Sequence, residues 1–127
     1  MTYLWVALGS AVGGMARYGV SGLAARAFGS LFPWGTLIVN VSGSAVIGFL
    51  AASAAPDARW LLSPDARALL LIGFCGGYTT FSTFSLETLN LVRDGEWLWA
   101  AANVVFSVVS CLVFVWLGYA AGSALNR

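Results

Sequence analysis

Histidine and lysine are missing from the 127-residue sequence, and the six basic and five acidic side chains make up only 9% of it. Soluble domains carry charge on about a quarter of their residues. Without histidine there is no Ser-His-Asp triad and no Cys/His metal cluster. The two cysteines, Cys75 and Cys111, each stand alone in a hydrophobic run, which excludes a disulfide framework. The pair Gly76 and Gly77 is not followed by the Lys-Ser/Thr of a phosphate-cradling loop. The few arginines are dispersed, so nucleic acid has no basic face to meet. Nothing in this set of residues points to an enzyme.

What remains is apolar: 60% of the residues are hydrophobic and 15 are glycine. Four runs are nearly free of charge, at 1–25 (broken only by Arg17), 34–55, 68–92 (broken only by Glu87) and 97–126. A helix needs roughly 20 residues to cross a hydrocarbon core about 30 Å thick, and each run supplies that length. The expectation is an all-α membrane protein with a single transmembrane domain over 1–127 and four spans near 3–27, 35–55, 67–92 and 96–123. The joins "FGSLFPW", "PDARWLLSPDAR" and "RDGE" are short, and Pro33, Pro56 and Pro64 fall in or beside them, where helices stop. The first run lacks a basic start and holds an arginine in its middle, unlike a cleavable signal.

Arginine placement usually orients such a chain. With four spans, Arg59, Arg67 and Arg127 fall on one side and Arg26 and Arg93 on the other. So even a balance permits insertion in both orientations, and with it an antiparallel homodimer. Four helices of this size scarcely surround a pore while also shielding a broken helix from lipid, and GxxxG pairs at Gly9/Gly13, Gly73/Gly77 and Gly118/Gly122 offer surfaces for close helix approach, so an oligomer is expected.

Polarity inside the spans is concentrated in "GGYTTFSTFSLE", residues 76–87. Its two glycines weaken a helix, and the hydroxyls of Thr79, Thr80, Ser82, Thr83 and Ser85 can take up backbone groups left by a break. A continuous helix packing its small residues on a neighbour is the other reading, but packing seldom needs five hydroxyls in seven residues. A break at mid-membrane requires cover by protein or a wet cavity, and such breaks commonly build ion sites. Phe81 and Phe84, three apart, share one side of a helix. Their positive ring edges would attract an anion weakly, whereas the same spacing also suits a lipid-facing or core pair.

On the second span Thr36, Asn40 and Ser44 repeat every four residues, and on the fourth Asn103, Ser107 and Ser110 form a similar ladder. The Asn40 amide suits either an anion's shell or a bond to another helix. Arg17 and Glu87 lie inside the membrane runs. They pair with each other, or Arg17 holds helix-end carbonyls while Glu87 reaches the interface.

With "GGMARY" around Arg17 and "GTLIVN" ending at Asn40, the third-span run resembles the signature of the small bacterial fluoride channels, the Fluc or CrcB family, along the whole chain. The resemblance implies an antiparallel dual-topology homodimer in the prokaryotic inner membrane, whose two pores pass fluoride passively out of the cytoplasm and relieve its toxicity. It implies a third helix broken at the threonines and a structural sodium ion at the dimer centre, held by the backbone carbonyls of Gly76 and Thr79. By the same resemblance Asn40, Phe81, Ser82, Thr83 and Phe84 line the fluoride path, with Ser107 and Ser110 beyond them, and Arg17 and Glu87 are structural charges. Asn103 is expected on the path with Ser107 and Ser110 as the first rung of the fourth-span ladder, at a position where relatives are expected to carry Tyr or Ser.

Physically, fluoride is small and strongly hydrated, so its path must replace water by many modest donors, none holding the ion too tightly. Two other functions fit a chain of this size. A proton-coupled exporter of the four-helix drug-transporter type needs a membrane-embedded carboxylate, for which Glu87 is the candidate. An assembly subunit would use its glycines and hydroxyls for packing alone.

Overall fold

The computed structural model describes residues 1–126; Arg127, counted above on the side of the termini, lies outside the described residues. The described residues are helical with no strand among them. Helix α1 covers Thr2–Phe28 and stops at Gly29, whose φ of 80° suits glycine. Helix α2 covers Trp34–Ala52 behind Pro33. The third hydrophobic run is not one helix. Residues 64–78, here α3, begin with Pro64 at the first helical position and a cap in which Ser63 Oγ accepts the Ala66 N–H at 3.2 Å. The stretch Ala68–Cys75 is wound as a π-helix and Gly76–Tyr78 returns to α. Thr79 (φ −84°, ψ 158°) and Thr80 (φ −153°, ψ 120°) are then extended, and helix α4, Phe81–Arg93, starts afresh. Helix α5 covers Trp97–Leu125.

Three of these segments are long and apolar enough to cross a membrane: Trp34–Ala52, Pro64–Arg93 across its break, and Trp97–Leu125. Helix α1 has the length, about 40 Å at 1.5 Å per residue, but is not among the three. Arg17 and its many glycines and serines dilute its apolar character.

Glycine decides which helices touch. Helix α2 meets α5 where Gly48 lies against Val115 O and Gly118 against Ala45 O, approaches that leave no room for a Cβ. In the same manner Gly9 and Gly13 bring α1 onto the backbone of α3 at Leu69 and Phe74, and a Cβ on Gly77 would sit 2.6 Å from Ser10 O. This corrects the reading of the GxxxG pairs as a case for an oligomer. All three are used inside one chain, because lipid tails offer helices no hydrophobic drive and close backbone packing must supply it. Helix α4 buries only Phe84 and Leu91, so its hold on the rest is slight.

Both ends of the bundle are tied. At one, Phe32 lies 4.9 Å from Trp34 and 5.6 Å from Trp99, ring centroid to centroid, joining the loop after α1 to α2 and α5. At the other, buried Asn126 accepts the Trp60 N–H at Oδ1 (3.0 Å) and the Arg59 N–H at its backbone oxygen (3.0 Å). Its Nδ2 donates to Ser53 Oγ at 3.3 Å, and together these bonds fix the loop after α2 to the end of α5.

Candidate functional site

The break between α3 and α4 is built by hydrogen bonds that replace the helical ladder. Thr80 N–H, which an unbroken α-helix would give to the Gly76 carbonyl, goes instead to Asn40 Oδ1 at 2.7 Å. Asn40 Nδ2 returns a bond to Thr80 O at 2.9 Å, so one side-chain amide satisfies both backbone groups of one extended residue. Thr83 N–H, which would belong to the Thr79 carbonyl, is taken by Thr80 Oγ1 at 3.1 Å in an N-cap. The Gly76 and Thr79 carbonyls thereby lose their helical donors. Gly77 O is compensated, since Arg17 Nε donates to it at 3.1 Å.

Two further contacts hold the break to α2. The Tyr78 hydroxyl meets Ser42 Oγ at 2.9 Å while its ring stacks on Phe74, with centroids 5.6 Å apart. Gly43 makes room for the Thr79 methyl and the Tyr78 ring; a Cβ there would sit 3.1 Å from the ring. Protein therefore covers the break from α1 and α2, as a mid-membrane interruption requires. On the remaining side Gly76 is exposed.

A groove of about 480 Å³ opens beside the break, and its wall includes Asn40, Thr79, Thr80, Phe81, Phe84 and Ser107. The two phenylalanine rings lie 5.4 Å apart at 49°, but they are unequal: Phe81 is 77% exposed and Phe84 only 8%. Asn40 brings one remaining amide N–H to this wall, the other being committed to Thr80.

Other residues singled out in the sequence lie off the groove of the single chain. Ser82 is exposed and Thr83 half-buried, and both hydroxyls gather on Thr80 Oγ1, at 3.4 and 3.1 Å. Ser110 faces a separate apolar hollow with Trp34 and Phe114. Asn103 is fully buried, donating Nδ2 to Thr88 Oγ1 at 2.9 Å and accepting from Ser107 Oγ at 3.3 Å. Of the fourth-span ladder only Ser107 reaches the groove. Arg17 and Glu87 go to different partners: Arg17 holds the carbonyl at the break, and Glu87 Oε1 accepts from Thr36 Oγ1 at 2.5 Å.

Thr88, Ser42 and Tyr78 escaped the sequence reading. Thr88 could have been found one turn beyond Phe84, on the face that α5 meets. Ser42 and Tyr78 gave no such signal, being 36 residues apart.

The family model for CrcB-like proteins, described as Camphor Resistance (CrcB), matches residues 4–119. The chain belongs to the CrcB family. It is 56% identical over 127 residues to a protein of Rhodospirillum rubrum named fluoride-specific ion channel FluC, with 100% of this chain and 98% of that one covered. Proteins of the same name from Methylocella silvestris and Opitutus terrae are 50% and 54% identical, covering 100% and 98% of this chain and 97% and 94% of their own. Bacterial relatives of full length, together with three membrane-length helices, make this a multi-pass prokaryotic membrane protein.

Proposed function

We propose that the chain is a fluoride channel that lets the ion leave the cell down its gradient across the inner membrane, relieving fluoride toxicity. The observation that carries the reading is the Asn40 clamp on Thr80, which keeps the third span open at mid-depth beside a groove bearing both phenylalanines. The groove offers an anion the free Asn40 amide N–H and the ring edges, both modest donors, and no charged side chain to trap it. Full-length relatives carrying the fluoride-channel name support the same ion.

In this reading α1 is the fourth span and two copies assemble antiparallel, with one pore on each side of the twofold axis. Phe81, Ser82 and Gly76, all exposed in one chain, then stand on the surface the second copy covers. Asn40, Phe81, Ser82, Thr83, Phe84, Ser107 and Ser110 serve the path, and Arg17 and Glu87 hold the helices. The Gly76 and Thr79 carbonyls, stripped of helical donors, are hard oxygen ligands suited to a sodium ion shared with the partner copy. Bound there, sodium would supply a fixed positive charge that no pH change removes.

The test is fluoride efflux from liposomes containing only this protein, with chloride as control and sodium present or replaced by a large organic cation. Fluoride efflux without chloride efflux, lost when sodium is withdrawn during preparation, is the expected result. Flux that needs a pH gradient and vanishes in Glu87→Gln would instead establish the exporter.

A further inference from the structure

We propose that Asn103 is a positioning residue whose side-chain amide, by turning over, decides whether Ser107 shows the groove a lone pair or a proton. The proposal rests on the channel reading above. As observed, three hydrogen bonds run in one direction away from the groove. Ser107 Oγ donates to Asn103 Oδ1 at 3.3 Å, Asn103 Nδ2 donates to Thr88 Oγ1 at 2.9 Å, and Thr88 Oγ1 donates to Phe84 O at 2.8 Å. A hydroxyl has a single proton. Ser107 has committed its own to Asn103, so the groove it lines meets only oxygen lone pairs, which repel an anion.

Rotation of the amide by half a turn exchanges oxygen and nitrogen, which are nearly identical in size. Nδ2 then donates to Ser107 Oγ, Oδ1 accepts from Thr88 Oγ1, and the Ser107 proton is released to the groove. The Phe84 carbonyl loses the Thr88 hydroxyl but keeps the Thr88 backbone N–H of the α-helix. With an anion present, the turned relay makes as many bonds as the resting one. Without it, one bond is missing. The resting direction is therefore favoured in an empty groove, and an arriving anion that accepts hydrogen bonds strongly pulls the relay over. Fluoride does this better than chloride because its charge is more concentrated. Asn103 has no exposed surface, so no water substitutes for either partner and the two hydroxyls must respond together.

The experiment compares fluoride efflux from liposomes for the wild type, Asn103→Asp, Ser107→Ala and the double variant. Kept ionised by measuring at alkaline pH, a carboxylate at 103 only accepts, captures both hydroxyl protons and locks Ser107 in its lone-pair state. Asn103→Asp should lower flux about tenfold in the wild-type background, the scale of one lost donor, and less than about twofold in Ser107→Ala. An equal drop in both backgrounds, as charge repulsion or disturbed packing would give, overturns the relay. A second measurement leaves residue 103 intact: in protein labelled with 15N at asparagine, the side-chain amide that Thr88→Val perturbs should also shift on adding fluoride but not chloride, and lose that response in Ser107→Ala. An unresponsive amide in a wild type that still conducts overturns the relay alone; absence of wild-type flux overturns the channel reading beneath it.

Discussion

Asn40 shows how much one side chain can carry at membrane depth. Its amide offers Thr80 a donor and an acceptor in the spacing of a neighbouring peptide group, so an extended residue is paired where lipid offers nothing. Asn40→Ala leaves two half-buried backbone groups without partners, each costing up to about 1–3 kcal/mol. Thermal unfolding in detergent should show that loss, and fluoride efflux should fall with it, whereas Asn40→Ser should recover part of both. The two phenylalanines separate function from packing. Phe81, 77% exposed, supports little within one chain, whereas Phe84, 8% exposed, packs between α4 and its neighbours. Phe81→Ile should therefore cut efflux with the melting temperature nearly unchanged, while Phe84→Ile lowers both. Efflux retained in both variants would remove the ring edges from the path.

At the scale of the elements, hydroxyls and glycines divide the labour. Within the third span the glycine pair and the hydroxyl run marked the place where the ladder fails, and that much was legible from residue types alone. Which backbone groups stay unpaired was not, because it depends on Asn40, 40 residues away, and on which hydroxyl takes Thr83 N–H. The π-helical turn over Ala68–Cys75 was equally hidden: "ALLLIGFC" has no residue that forbids an α-helix. The glycines of α2 and α5 act by absence of a side chain. A Cβ at Gly118 would run into Ala45 O, backbone that cannot swing aside. Gly118→Val should push α5 off α2 and destabilise the fold by several kcal/mol, in the range of overpacking or more. Reduced melting temperature and proteolysis of detergent-solubilised protein would report it, and a wild-type stability would show that α2 and α5 are not so close.

For the whole molecule, assembly and orientation follow from what one chain leaves uncovered. One chain leaves the exposed face of α4, with Phe81 and Ser82, and the unpaired Gly76 carbonyl on its surface. Such a face in a membrane protein is a costly one to leave to lipid. Tags at each terminus, probed from one side of intact vesicles, should report about half of the molecules in each orientation, the outcome that the balanced arginines permit. A single orientation would rule out the antiparallel pair. By itself the sequence determined the membrane class, the family and the neighbourhood of the break, because transfer into lipid and helix propensity are properties of residue types along a local stretch. Only tertiary structure decided that Asn40 holds Thr80, that Arg17 serves Gly77 rather than Glu87, and that the GxxxG pairs are used within one chain. The physical reason is that a hydrogen bond or a close approach belongs to two groups at once, and residue types along one stretch do not say which distant partner arrives.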